Sequence, residues 1–184
     1  SIGDSAFSHC EALTKINLPT SVENYSTSVF SYCTKLQSIK LPENLEKISN
    51  YMFAYCYSLE NVDIPSSVTS IGDSSFAYCY KLAAIKIPDS VTSIGRCAFE
   101  KCSVLKDITF SKKLTSMGIY AFQGCTSLES ITLPDSLTSI SGSAFVYCTA
   151  LKSIDIPNSV TSIGTSAFSG CKALTSIKSV DLGK

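Results

Sequence analysis

Cysteine is the residue type with the greatest chemical potential in this sequence, and it recurs at a constant spacing. Eight of the nine cysteines are 23 residues apart, at positions 10, 33, 56, 79, 102, 125, 148 and 171. A thiol can form a disulfide, bind zinc or act as a nucleophile. Each of these uses needs partner groups that converge on one point. Residues at the same position of successive repeats lie in a line instead. The spacing therefore argues against disulfides, a zinc site and a nucleophile.

The thiols are therefore expected to be structural. Cys-x-x-Cys spacings are absent, His9 is the sole histidine, and nine cysteines in 184 residues are far sparser than in a disulfide-dense mini-domain. An unpaired cysteine behaves as a small buried hydrophobe with a weak S–H donor. We expect each thiol of the series to fill the interior and to donate to a backbone carbonyl. Cys97 falls outside the series and is the candidate for an exposed thiol.

Other signatures of an active site are equally weak. A Ser/His/acid or Cys/His site would have to use His9, which lies in the first repeat of the sequence, a poor platform if no repeat packs before it. The glycines are single residues at repeat corners and form no phosphate-binding loop. The sequence therefore predicts no catalytic residues, no metal and no cofactor.

The cysteine spacing belongs to a repeat of 23 residues. Phenylalanine precedes each cysteine of the series by three positions and leucine follows it by three, and a β-branched residue comes three positions after the leucine. Alternation of a β-branched residue with Leu or Ile predicts one short strand per repeat, usually ended by proline. The Val-Thr-Ser-Ile-Gly piece predicts a second extended segment. A stretch such as Asp73 to Phe76 predicts an N-cap before a single helical or 3-10 turn.

One such unit cannot enclose its apolar face, whereas stacked units bury a continuous core. We therefore predict that residues 1–184 form a single solenoid domain of about eight 23-residue repeats. The path is expected to be right-handed, as parallel crossovers are, with a parallel β-sheet on the concave face. Short extended segments and single helical or 3-10 turns should form the convex side. Because exposed apolar ends require caps, we also expect the chain to be a fragment of a longer protein.

The repeat resembles the leucine-rich repeat, and within it the treponemal or BspA-type class. That class carries C-x-x-L-x-x-I-x-L-P followed by V-x-x-I-G-x-x-A-F, which this sequence matches from Cys79 to Pro88 and from Val91 to Phe99. The resemblance extends over residues 1–178 and implies an α/β leucine-rich-repeat solenoid. Members of the class are mostly large surface or secreted proteins implicated in attachment to host or partner proteins. The resemblance thus implies a location at the cell surface or outside the cell.

Composition and charge limit the partners. The chain has 15 basic and 15 acidic side chains and no net charge, so no overall field favours nucleic acid. It contains no run of 18 apolar residues, so membrane insertion is not expected within this segment. Its hydrophobic content of 45% is sufficient for a sizeable core.

Positions that vary among the repeats are the candidates for binding. One outward row of the predicted strands includes Lys40, Asp63 and Lys86, which alternate in charge and fit a cross-strand charge ladder. These residues are candidate partner contacts, although a purely structural role is the simpler interpretation.

A second candidate is a cluster of tyrosines beside the cysteine series. Tyr32, Tyr55 and Tyr78 precede a cysteine, and Tyr57 and Tyr80 follow one, all in three consecutive repeats. Tyrosine supplies rigid amphipathic area and is favoured in recognition surfaces. The alternative is that the rings stack on one another and cover the edge of the core. The sequence leaves both interpretations open.

These observations predict a protein-binding module of a surface or secreted protein, with adhesion to host or partner macromolecules as its role. The partner would be a protein, such as an extracellular-matrix or host surface protein, or a glycan. Two alternatives remain: a passive structural spacer, and a glycan-binding domain attached to another functional domain.

Overall fold

The computed structural model describes residues 1–179, in which short parallel strands form two rows along the chain. Residues 180–184, the end of the predicted domain, lie outside the described residues. The strands are β1 (Ser38–Lys40), β2 (Lys47–Ile48), β3 (Asn61–Asp63), β4 (Ser70–Ile71), β5 (Ala84–Lys86), β6 (Ser93–Ile94), β7 (Asp107–Thr109), β8 (Ser116–Met117), β9 (Ser130–Thr132), β10 (Ser139–Ile140), β11 (Ser153–Ile156), β12 (Ser162–Ile163) and β13 (Ser176–Ser179).

Odd-numbered strands form the first row and even-numbered strands form the second. Each strand pairs in parallel with the equivalent strand of a neighbouring repeat, so that Ile39 lies opposite Val62 and Ile48 lies opposite Ile71. The first row is divided into the ladders β1-β3, β5-β7 and β9-β11-β13, and the second into β2-β4-β6-β8 and β10-β12. The chain is therefore a parallel β-solenoid whose repeat length equals the sequence period. The expected parallel sheet is present, but its hydrogen-bond ladder is interrupted.

The core is one continuous cluster built from the rows that the sequence repeats. Phenylalanines of successive repeats stack face to face with ring centroids 5.1–5.7 Å apart, from Phe7 to Phe168. The cysteine, leucine and isoleucine rows line the same interior. Burying a large apolar side chain contributes about 1.5–3 kcal/mol. Because every repeat supplies the same set of apolar side chains, the core has no centre and extends along the solenoid.

The segment before each cysteine differs from its prediction. No helix is present in residues 1–179, so the single helical or 3-10 turns expected there are not observed. Successive hydrogen-bonded turns replace them. Two positions in each repeat adopt a positive φ, as at Ser28 (59°) and Tyr32 (58°), and such a conformation interrupts a right-handed helix. The amide groups of Phe30 and Tyr32 instead donate to the carbonyls of Met52 and Ala54 in the next repeat.

Candidate functional site

From Cys33 onward the cysteine ladder has the structural role that the sequence predicted, whereas Cys10 in the first repeat is exposed. From Cys33 to Cys171, each thiol of the series donates to the carbonyl oxygen of the phenylalanine in the preceding repeat, over 3.1–3.3 Å. The same carbonyl accepts the backbone N–H of its own repeat's cysteine, as Phe30 does from Cys33. Each thiol therefore ties one turn to the next while it fills space between the phenylalanine and leucine rows.

Burial makes these thiols poor nucleophiles, because the thiolate is the reactive form and a buried thiolate is disfavoured. Loss of solvation raises the pKa of Cys33 to about 11 and that of Cys102 to about 12. It also raises the pKa values of Cys56, Cys79, Cys125 and Cys148 far above the ordinary range. All nine cysteines are unpaired, and Cys97, the candidate for an exposed thiol, is half-buried. Within residues 1–179, no cluster of three or more His, Cys, Asp or Glu side chains could hold a metal ion.

The five candidate tyrosines are brought together in one surface patch. Tyr32, Tyr55 and Tyr78 stack face to face with centroids 4.3 and 4.7 Å apart. Tyr57 and Tyr80 form a second stack with centroids 5.3 Å apart. The two stacks meet edge to face, at 6.4 Å between Tyr55 and Tyr57 and at 6.1 Å between Tyr78 and Tyr80. We call these five side chains the tyrosine patch.

The first stack of the tyrosine patch is built on a left-handed backbone. Tyr32, Tyr55 and Tyr78 have φ values of 58°, 62° and 62°. The equivalent positions of two later repeats are the glycines Gly124 and Gly170, for which this conformation carries no penalty. A residue with a side chain pays roughly 1–2 kcal/mol for it. The aromatic side chains therefore occupy positions where the backbone alone would favour glycine.

The two stacks expose different amounts of ring. Tyr32, Tyr55 and Tyr78 are half-buried, whereas the side chains of Tyr57 and Tyr80 are exposed, with 38% and 42% of their surface accessible. Tyr55 has a ring on each face, so it presents its edge and hydroxyl to solvent. Loss of solvation, reinforced by Tyr32, raises the pKa of Tyr55 to about 12. The Tyr55 phenol is therefore a neutral hydrogen-bond donor at neutral pH.

Two residues that the sequence analysis did not assign to the tyrosine patch lie at its ends. His9 stacks on Tyr32 with centroids 4.4 Å apart, and the carboxylate of Glu100 accepts a hydrogen bond of 3.4 Å from the hydroxyl of Tyr78. The constant spacing could have identified His9, because it precedes Tyr32 by 23 residues. No sequence signal identifies Glu100, because its contact with the Tyr78 hydroxyl depends on the orientation of the Tyr78 ring.

Lys40, Asp63 and Lys86 lie on the strand face, apart from the tyrosine patch. The predicted register is confirmed for Lys40, which lies opposite Asp63, while Lys86 lies opposite Thr109 across the neighbouring ladder. The expected charge ladder does not form close ion pairs: no salt bridge within residues 1–179 includes any of the three. They line two adjoining surface depressions of about 480 and 610 Å³ that share Asp63 and Ser66. This shallow region is a second, weaker candidate surface.

Comparison with known protein families matches the chain to the BspA type leucine rich repeat region, in six copies over residues 1–83 and 69–181. No curated protein matches the chain significantly. No helix in the described part of the chain combines the length and apolar character needed to cross a membrane.

Solved structures of bacterial leucine-rich-repeat proteins resemble this one. A T. pallidum leucine rich repeat protein is 27% identical with a TM-score of 0.84, over 88% of this chain and 78% of that one. A leucine-rich repeat protein from Bacteroides ovatus is 34% identical with a TM-score of 0.55, over 96% of this chain and 57% of that one. A leucine rich cell surface protein from Faecalibacterium prausnitzii is 30% identical with a TM-score of 0.52, over 100% of this chain and 69% of that one.

Proposed function

The chain belongs to the BspA-type leucine-rich-repeat family, and from that premise we propose that it is a protein-binding module of a surface or secreted protein that acts in adhesion. The tyrosine patch is the observation that carries the proposal. Tyrosine is enriched at the centres of protein interfaces, because its ring supplies rigid contact area and its hydroxyl supplies a hydrogen bond. The family supports a protein-interaction role, and the Faecalibacterium prausnitzii protein is described as a cell surface protein.

The exposure of the tyrosine patch supports a role beyond simple coverage of the core. The core row does not need a tyrosine at this position, since Phe122 and Cys125 are fully buried in the repeat where Gly124 takes its place. Tyr57 and Tyr80 retain large exposed surfaces although they stack on each other. Exposed rings beside a core that is closed without them fit a surface selected for contact with a partner.

The geometry favours a protein over a glycan as the partner. Ligands that bind aromatic rings through their faces, such as cations, need a free face. Tyr55 has both faces covered by other tyrosines, and the inner faces of Tyr57 and Tyr80 are turned to each other. At Tyr32 and Tyr55, where both ring faces are covered, the patch therefore presents ring edges and hydroxyls, which suit the backbone carbonyls and mixed side chains of a protein surface.

A binding panel tests this proposal. We expect the immobilised chain to bind at least one member of a panel of purified extracellular-matrix proteins, and to give no signal on a glycan array. The double variant Tyr57→Ser/Tyr80→Ser should weaken that binding by about 30-fold or more, which corresponds to about 2 kcal/mol for one anchor residue.

The matched control is Tyr51→Ser/Tyr147→Ser. These tyrosines are also exposed, at 45% and 54%, but lie outside the patch. Equal losses in the two double variants would show that the patch has no special role. A glycan signal without any protein signal would replace the proposal with the glycan-binding alternative, and a silent panel would favour the passive spacer.

A further inference from the structure

Two exposed tyrosine rings are stacked on each other in neighbouring repeats, and their phenols can react in a way that the proposed binding function does not require. The rings of Tyr57 and Tyr80 lie with centroids 5.3 Å apart and planes inclined by 19°. Both rings are substantially exposed, so they are open to reagents. The residues are separated by 23 positions in the sequence, but the stacking of repeats holds their rings in contact.

We propose that Tyr57 and Tyr80 form a site of oxidative modification, at which a peroxidase-type one-electron oxidant with hydrogen peroxide joins the two rings as dityrosine. Each phenol loses one electron and one proton to give a tyrosyl radical. The two radicals then form a carbon–carbon bond between ring positions ortho to the hydroxyls, and both rings recover aromaticity when each ortho carbon passes its hydrogen to a phenolic oxygen. Two tyrosines lose two hydrogen atoms in total, and one hydrogen peroxide is reduced to two waters.

The surrounding rings favour this pair over other tyrosines. Tyr55 and Tyr78 contact Tyr57 and Tyr80 edge to face, and Tyr32 stacks on Tyr55. An oxidised ring anywhere in this connected set can take an electron from a neighbour, so that the radical reaches the exposed pair. Tyr51 and Tyr147 are more exposed, but neither contacts another aromatic ring within the described residues. They lack an intramolecular partner for coupling.

The two thiols that adjoin the pair in sequence do not compete for the radical, whereas the half-buried Cys97 near Tyr78 is a competitor that Cys97→Ser removes. Cys56 and Cys79 adjoin the pair in sequence, and an accessible thiol would quench a tyrosyl radical by giving up hydrogen. Both are fully buried, and their S–H groups donate to the carbonyls of Phe30 and Phe53. Burial also raises their pKa values, which keeps the electron-rich thiolate unpopulated.

Such a bond would tie two consecutive repeats together on their outer surface. It would close a loop of chain between residues 57 and 80 and restrict the unfolded state, as a disulfide does. Oxidative conditions would therefore convert the tyrosine patch from a non-covalent contact surface into a covalent link between repeats. This inference does not depend on the binding function proposed above.

Treatment of the purified chain with peroxidase and hydrogen peroxide at low protein concentration tests the proposal. We expect dityrosine fluorescence in the monomer after gel filtration, and a monomer lighter by two hydrogen atoms. Cleavage after Glu60, which lies between the two tyrosines, should leave the two peptides joined. The thermal midpoint of the oxidised monomer should also rise.

Two matched variants decide between this pair and the other tyrosines. Phenylalanine keeps the ring and the stacking but cannot form a phenoxyl radical. Tyr57→Phe/Tyr80→Phe should therefore lose the monomer fluorescence and the rise in midpoint, while Tyr51→Phe/Tyr147→Phe should retain both. Fluorescence that persists in the monomer of the first variant, a cross-link that maps to another pair, or fluorescence confined to covalent dimers would overturn the proposal.

Discussion

Single positions of the repeat are constrained either by the core or by the backbone of the turns. From the second repeat onward, the position before the phenylalanine lies in the core and is mostly alanine, as at Ala98, Ala121 and Ala144. Ser75 occupies this position in the fourth repeat. It is fully buried, and its hydroxyl oxygen has no hydrogen-bond partner among the described residues. A buried hydroxyl without a partner costs about 1–3 kcal/mol.

Replacing Ser75 by alanine should therefore stabilise the protein by about 1 kcal/mol, because it removes an unsatisfied hydroxyl without leaving a large cavity. The measurement is the urea midpoint at constant slope. Ser67→Ala is the control: the Ser67 hydroxyl donates to the carbonyl of Leu45 over 2.7 Å, so its loss should destabilise the protein. A lower midpoint for Ser75→Ala would mean that its hydroxyl has a partner in solution.

The sequence predicts the burial of a residue well, because burial depends on the type of side chain. It predicts the backbone conformation of a residue poorly. Burial of the phenylalanine, cysteine and leucine rows followed directly from their spacing. The positive φ of Tyr32, Tyr55 and Tyr78 did not, because tyrosine has no preference for that conformation and only Gly124 and Gly170 indicate it. The orientation of each ring depends on the next repeat, which also explains why Glu100 was not recognised.

Among the elements, the cysteine ladder contributes most to the pH dependence of stability. Six of its thiols are buried, and burial raises their pKa values while thiols in the unfolded chain titrate near 8.5. Below that pH both states are protonated. Above it the unfolded chain loses protons that the folded chain keeps, so the free energy of unfolding falls as the pH rises.

We expect the urea midpoint to be constant from about pH 6 to 8 and to fall steeply from about pH 8.5 towards pH 11, the value to which the pKa of Cys33 is raised. Each buried thiol contributes about 1.4 kcal/mol per pH unit, so the six together approach the whole stability of a typical domain near pH 10. The experiment requires a reductant. Cys102→Ala should be less stable than the wild type at pH 7, and that deficit should shrink at pH 10. A midpoint that stays level up to pH 10 would contradict burial of the ladder.

The strands were predictable because alternation of side chains and a constant period determine them. The turns before the cysteines were not, since a sequence such as Asp73 to Phe76 fits either the first turn of a helix or a series of turns. The choice between a helix and a series of turns depends on which carbonyl groups accept hydrogen bonds from the backbone amides of this segment. In this fold they bond to the next repeat, as Phe76 does to Ala98 and Tyr78 to Glu100. A contact between repeats is not visible in the sequence of one repeat.

The whole molecule combines a uniform scaffold with one irregular surface. The interior rows repeat almost unchanged, so they provide stability and carry little information about a partner. The tyrosine patch is confined to three repeats and includes the exposed rings of Tyr57 and Tyr80. If the patch serves binding, its removal should affect affinity far more than stability. If it covers the core, the reverse should hold.

The most direct test replaces Tyr55, Tyr57, Tyr78 and Tyr80 together by serine, and measures both affinity for the matrix protein identified in the panel and the thermal midpoint. The Phe, Cys, Leu and Ile rows remain intact, so we expect the midpoint to change little while binding falls by about 30-fold or more. A variant that unfolds several degrees lower, yet binds with full affinity when folded, would show that the tyrosine patch serves packing and that the protein binds elsewhere.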